Sequence, residues 1–221
     1  MPRSLVVYAF LALFAWVNPA MAAMASVEDS VAERVLGNPD APVTIVEYAS
    51  LGCSHCADFH RDTLPQIKAA YIDTGKVRFI FIDFPLGAPA VAAAMVARCA
   101  PRDAYFGLLD VFFRDQARWA GARDPLKEIA RIGRFAGLSE QDAGACVESQ
   151  PLLARIRDGA EDASRRYGID STPSFVIDGT LIKGAQPFEA FRAAIDAALA
   201  KRGVVVTATK QDIPAPAARQ D

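Results

Sequence analysis

Charge of one sign is not in excess in this chain: 24 lysines and arginines face 26 aspartates and glutamates, scattered along 221 residues for a formal net charge of -2. That balance excludes the basic footprint of a nucleic-acid binder and the polybasic patch of a membrane-surface protein. An apolar run of spanning length is also missing. The run at residues 5–17 is about 13 residues, short of the roughly 20 that cross a bilayer as a helix. No internal repeat appears, and only two histidines and four cysteines are present. What remains, with 52% hydrophobic and 23% charged residues, is a globular protein of one domain with an elaboration.

The start of the chain is nevertheless patterned. Arg3 precedes the apolar run, Asn18-Pro19 breaks it, and Ala20-Met21-Ala22 places small residues where a signal peptidase cuts. Residues 1–22 read as a secretory signal peptide, and a second such triplet, Ala23-Met24-Ala25, allows a cut as late as 25. An exported protein meets an oxidising compartment, the periplasm, where thiols persist as disulfides. Four cysteines allow three connectivities, and the close spacing of Cys53 and Cys56 favours pairing within each half.

After a lead-in at 23–36, helical in part, Gly37-Asn38-Pro39-Asp40-Ala41-Pro42 is a cluster of turn formers. Residues 43–48 read as a buried strand, 54–73 as a helix kinked at Pro65, and 77–83 as a second strand, together a right-handed βαβ unit. From Pro85 to Gly168 the composition is helical. Four or five helices are expected there, with Asp124-Pro125 and Ser139-x-x-Asp142 as N-terminal signals. A strand at 172–177, a hairpin turn at Asp178-Gly179 and its partner strand follow. A helix at about 187–200 closes the fold, and 203–221 read as a flexible tail.

The chemistry is concentrated at Cys53-Ser54-His55-Cys56, where a strand runs into a helix. Cys53 then lies at a helix N-terminus, whose free N–H groups and dipole favour a thiolate. The dipole supplies at most about 2 kcal/mol, against 1.36 kcal/mol for one pKa unit, so about one unit is its share. The His55 ring can add a hydrogen bond and a positive charge. Cys53 is the expected attacking thiolate and Cys56 the resolving partner; a structural disulfide and half of a metal site are the alternatives. Zinc wants four ligands, and Cys99 and Cys146 fall inside the helical stretch, so no metal is expected. His60 lies four residues after Cys56 and is expected to pack or to be solvated. Glu47 is a carboxylate in an apolar strand: either it is buried for a reason or it faces solvent from an edge strand.

Residues 37–200 resemble the DsbA-like branch of thioredoxin-fold proteins. The stretches that carry the resemblance are residues 37–43, Cys53-Ser54-His55-Cys56, residues 71–77, Asp83-Phe84-Pro85-Leu86 and Gly168-Ile169-Asp170-Ser171-Thr172-Pro173. The resemblance implies an α/β thioredoxin fold with an inserted all-helical domain: core at 37–85 and 169–202, insertion at 86–168. It implies that Pro173 is cis beside the active-site sulfurs, that the backbone of Thr172 pairs with an extended substrate, and that Glu47 takes the proton of the resolving cysteine. Ser54 stands where some members carry proline or alanine, which leaves the redox potential open. Cys99 and Cys146, on separate predicted helices, read most simply as a structural disulfide.

The function implied is that of a dithiol oxidase acting on reduced exported proteins and reoxidised by a membrane partner of the DsbB type. No cofactor or nucleic acid is expected, and no stable membrane insertion if the signal peptide is cleaved; counted through Ala25, the apolar start would allow an uncleaved anchor. The alternatives are a reductase or isomerase and a non-catalytic thiol chaperone or copper carrier. A DsbC-like isomerase would carry an added N-terminal dimerisation domain, and about 20 residues between the leader and the first strand leave no room for one.

Overall fold

The computed structural model describes residues 24–204. The expected signal peptide and nearly all of the expected tail lie outside the described residues. Among the described residues no helix is long and apolar enough to cross a membrane.

Five strands form one mixed sheet in the order β1-β3-β2-β4-β5. The β-branched and aromatic stretches named above supply its centre: β2 is Val43–Ala49, and β3, Val77–Asp83, runs parallel to it. On its other side β2 pairs antiparallel with β4, Ser174–Ile177. β2 is therefore an interior strand, which removes the possibility that Glu47 faces solvent from an edge. β4 continues into β5, Thr180–Lys183, through Asp178 and Gly179, whose φ values of 48° and 83° give the type of two-residue turn that matches strand twist. The lead-in holds α1, Val27–Val31, capped by the Ser26 side chain, and a strand that the sequence did not announce, β1, Val35–Leu36, antiparallel to β3. Two residues carry no periodicity, so pairing alone defines that strand.

The helix after Cys53 is not a simple kinked rod. It runs as α2, Ser54–Asp58, a π-helical turn Phe59–Thr63, α3, Leu64–Ile67, and a second π turn Lys68–Ile72. Pro65 has no N–H to return to the preceding turn, and its ring would strike a carbonyl there. The widened turn before it, in which the Leu64 N–H reaches back five residues to the Phe59 carbonyl, accommodates the ring without breaking the helix.

Between β3 and β4 lie six α-helices rather than four or five: α4 Ala88–Cys99, α5 Tyr105–Arg114, α6 Gln116–Ala120, α7 Pro125–Gly133, α8 Glu140–Glu148 and α9 Gln150–Tyr167. The capping signals act as read, Asp124 accepting from the Lys127 N–H and Ser139 with Asp142 closing a capping box. The division between α5 and α6 falls at Asp115, without glycine or proline to mark it. α10, Phe188–Lys201, is the last element among the described residues and packs against the sheet. Sheet and inserted helices share one apolar core, in which Phe59, Phe79, Phe81 and Phe175 meet Phe112, Phe113 and Trp119. A smaller cluster, Tyr48, Ala163, Ile169 and Val176, fills the opposite sheet face beneath α9.

Candidate functional site

β2 delivers the chain through Ser50 and Gly52 to Cys53, whose extended backbone makes it the N-cap of α2. Its N–H donates to the Ser50 carbonyl, and its carbonyl receives the Ala57 N–H at 3.2 Å, the first bond of the helix. Cys53 is half-buried and Cys56, one turn further, is fully buried. The two sulfurs thus differ in access before they differ in chemistry.

They also differ in ionisation. Hydrogen bonding holds the Cys53 thiol down at about 5, the Cys56 thiol contributing most. Thr172 and the N–H groups of Cys56 and His55 add to it, while partial burial opposes it. Cys56 is driven far up instead, by burial first, then by its bond to Cys53 and the charge of Glu47. One sulfur is therefore a thiolate at neutral pH and the other a thiol, the division of labour that thiol-disulfide exchange needs.

His55 contributes differently from the expectation. Its ring is 75% exposed and lies nearest Asp58, 3.7 Å from Nδ1 to the carboxylate, without a hydrogen bond to the Cys53 sulfur. A side chain in the first helical turn leans outward here, so it is the backbone N–H of His55 that serves the sulfur.

The Thr172-Pro173 peptide is cis, and the Thr172 carbonyl lies 3.4 Å from Cys53 Sγ, accepting from the thiol when it is protonated. Pro173 has no N–H for the sheet, but its carbonyl accepts from the Gly184 N–H at 2.8 Å, which fixes the loop to the end of β5.

Glu47 is fully buried, between Phe81 of β3 and Phe175 of β4 in the sheet register. Burial raises its carboxyl pKa, and His60 pulls it back. Its Oε2 lies 2.8 Å from His60 Nε2, and that ring sits 4.1 Å, centroid to centroid, from Phe113. His60 does pack, as one of the two expected fates, but its hydrogen bond to Glu47 was missed. The signal that could have found it was the carboxylate itself, because a carboxylate in a buried strand needs a partner.

A second residue was also missed. Gln116, at the start of α6, donates from Nε2 to the carbonyls of Leu51 at 2.6 Å and Cys53 at 2.9 Å, tying the helical insertion to the backbone of the cysteine motif. Cys99 and Cys146 are joined as a disulfide between α4 and α8, apart from the Cys53/Cys56 pair. Surface hollows along α9, lined by Phe84, Tyr48, Arg155 and Arg165, do not include the cysteines. Cys53 is accessible without lining either hollow.

A family model described as Thioredoxin matches residues 29–197. Among solved structures, alpha-DsbA1 of Wolbachia pipientis superimposes with a TM-score of 0.72 at 31% identity, covering 78% of this chain and 93% of that one. BdbD of Bacillus subtilis, in its oxidised form, gives 0.69 at 21% identity over 83% and 100%, a likeness of fold alone. A Rickettsia conorii relative with protein-disulfide oxidoreductase in its name is 28% identical over 186 residues, 82% of this chain and 66% of the relative. This chain spans between 54% and 66% of the length of the rickettsial relatives that it matches.

Proposed function

The chain belongs to the thioredoxin family, in its DsbA-like branch, and from that membership we propose that it is an exported, periplasmic dithiol oxidase that introduces disulfides into secretory proteins through Cys53 and Cys56. The observation that carries the proposal is the contrast between a half-exposed Cys53 held at about 5 and a buried Cys56 driven far up. A thiolate that stable is a good leaving group and makes the reduced protein the favoured product, as an oxidant requires.

The reaction starts from the Cys53–Cys56 disulfide. A substrate thiolate attacks Cys53 Sγ, and the electron pair of the broken bond goes to Cys56, which takes up a proton with Glu47 as the adjacent donor. The second substrate thiolate then attacks the substrate sulfur of the mixed disulfide, and Cys53 departs as a thiolate. Two electrons pass to the protein; of the two substrate protons, one ends on Cys56 and one in solvent. Thr172 offers its backbone to an extended substrate segment beside the sulfurs. Turnover requires a two-electron acceptor, for which a membrane quinone-linked partner of the DsbB type is the natural class.

Stability tests oxidase against reductase. The oxidised form has neither thiol to titrate, so the pH dependence of the reduced form relative to it reads Cys53 below about pH 8.5, where Cys56 stays largely protonated in both states. A depressed thiol pKa adds stability in full above the unfolded value of about 8.5 and loses it as pH falls through about 5. Near pH 8, about three units above the folded value, the thiolate is worth up to about 4 kcal/mol, trimmed to about 3 because the sulfur is half exposed. Closing the small ring in the oxidised form works the other way by about 2 kcal/mol. Above about pH 8.5 the gain reverses, because Cys56 then ionises only in the unfolded chain. Reduced protein is therefore expected to melt about 2 to 4 °C above oxidised protein near pH 8, and at or below it near pH 5. Paired melts with Cys99–Cys146 kept oxidised check this. A gap that stays flat with pH, or an oxidised form still the more stable at pH 8, would put the reductase reading first.

A further inference from the structure

We propose that His60 is the second station of a buried proton path that serves Cys56, passing on the proton that Glu47 exchanges with it. The proposal rests on the reading of Cys56 as resolving cysteine and Glu47 as its proton partner, and extends both.

The Glu47–His60 pair is almost completely enclosed, with side-chain exposures of 0% and 3%. Removing a carboxylate and an imidazole from water is costly, and a pair kept for stability alone should have its remaining polar atoms satisfied. Here both outer atoms, Glu47 Oε1 and His60 Nδ1, are buried without a hydrogen-bond partner. The pair is bonded in the middle and open at both ends, as an element that passes protons would be.

Its two ends also lie in the right company. Glu47 is coupled electrostatically to Cys53 and Cys56 of α2. On α5, whose Phe113 packs on the His60 ring, Asp110 beside Arg114 is coupled to His60 and is exposed to solvent. The other groups around the ring, Phe79 and Phe81 of β3 and Phe113 of α5, do not titrate. The π turn that accommodates Pro65 also carries His60, so the local irregularity and the proton group coincide.

The chemistry calls for such a path. During reoxidation the buried Cys56 thiol must lose its proton before its sulfur can attack Cys53 in a mixed disulfide. Glu47 alone can receive that proton but, being enclosed, cannot release it. An imidazole takes a proton at one nitrogen and gives one up at the other. The proton therefore goes from Cys56 Sγ to the Glu47 carboxylate, from Glu47 Oε2 to His60 Nε2, and from Nδ1 toward the α5 surface. No electrons move in these transfers. The Cys56 thiolate then forms the bond to Cys53 and expels the acceptor's sulfur as a thiolate.

The test uses reduced full-length protein mixed with oxidised glutathione. Acid quenching and intact-mass measurement follow the Cys53–glutathione mixed disulfide and its resolution by Cys56. His60→Gln keeps an N–H donor for Glu47 but cannot relay a proton; His60→Phe fills the aromatic surroundings without one. Both are expected to slow resolution by about ten-fold or more near neutral pH and to flatten its pH profile, at the low end of what proton transfer by a positioned side chain contributes. Formation of the mixed disulfide, which reports Cys53, should be unchanged. Resolution by His60→Gln at the parent rate and with the parent pH profile overturns the proposal, and so does slowing by His60→Phe alone, which marks a hydrogen-bonding role. Glu47→Gln separates the two layers: slow Glu47→Gln with fast His60→Gln leaves Glu47 as proton partner and removes His60, whereas two fast variants remove both.

Discussion

Reduced Cys56→Ala protein, offered a secretory protein whose one cysteine is activated as a mixed disulfide with thionitrobenzoate, is expected to convert almost wholly to a stable substrate-linked species with release of thionitrobenzoate, whereas Cys53→Ala protein yields none. The expectation follows from access and ionisation together. Cys53 is half-buried and its thiol is held at about 5, so it can reach and attack the activated substrate sulfur. Cys56 is fully buried and its thiol is pushed far up, so alone it is neither reachable nor nucleophilic near neutral pH. In the parent protein the linked species is transient because Cys56 displaces the substrate. Without Cys56 and without a second substrate thiol, nothing resolves it. Since the Cys56 thiol is the largest influence lowering the Cys53 pKa, the variant should titrate higher than the parent, and trapping is best measured near pH 8, close to the ordinary thiol value of about 8.5. Intact mass under non-reducing conditions reads the result; equal trapping by the two variants would defeat the assignment of Cys53 as nucleophile.

Replacing Cys99 and Cys146 together by alanine is expected to cost about 4 kcal/mol of stability, the value the chain-entropy model gives for a loop of this size. The two residues are 47 positions apart, and their bridge joins the end of α4 to α8. Releasing it restores a large set of conformations to the unfolded chain while leaving both sites in the apolar core. For a chain of this size the melting temperature should fall by about 8 to 16 °C. The ionisation of Cys53, measured by thiolate absorbance, should not move, since the groups that shift it, Cys56, Thr172 and His55, lie outside the bridge. A loss below about 1 kcal/mol would show that the bridge constrains little of the unfolded ensemble.

Much of this architecture was legible because it is locally encoded. β2 and β3 are dense in β-branched and aromatic residues, Asp178-Gly179 specifies its own turn, and Asp124 and Ser139 cap the helices that follow them. The cysteine motif was legible for the same reason, since a strand that runs into Cys-x-x-Cys defines its helix N-terminus. What was hidden depends on distance in sequence or on departures from a regular period. β1 is too short to have a pattern, and its existence comes from pairing with β3. The π turns follow from Pro65, but a kink and a widened turn cannot be told apart by composition. The ring of His55 was expected on the sulfur because its chemistry suits the task, yet side-chain direction in the first turn sends it to solvent. His60 could be recognised as the partner of Glu47 only once β2 was known to be interior and the helix to cross it at that residue.

The contact made by Gln116 bears on how this fold can be taken apart and recombined. One amide from the insertion holds two carbonyls of the cysteine loop, Leu51 and Cys53, across 65 and 63 positions of chain. The reactive turn is thus built jointly by two stretches of sequence, and neither is a free-standing module. A chimera that exchanged the helical insertion for that of a relative would inherit the fold yet leave the Cys53 backbone without its outer brace, unless a donor of the same reach came with it. Position 116 is therefore constrained by the cysteine loop it holds rather than by the packing of its own helix.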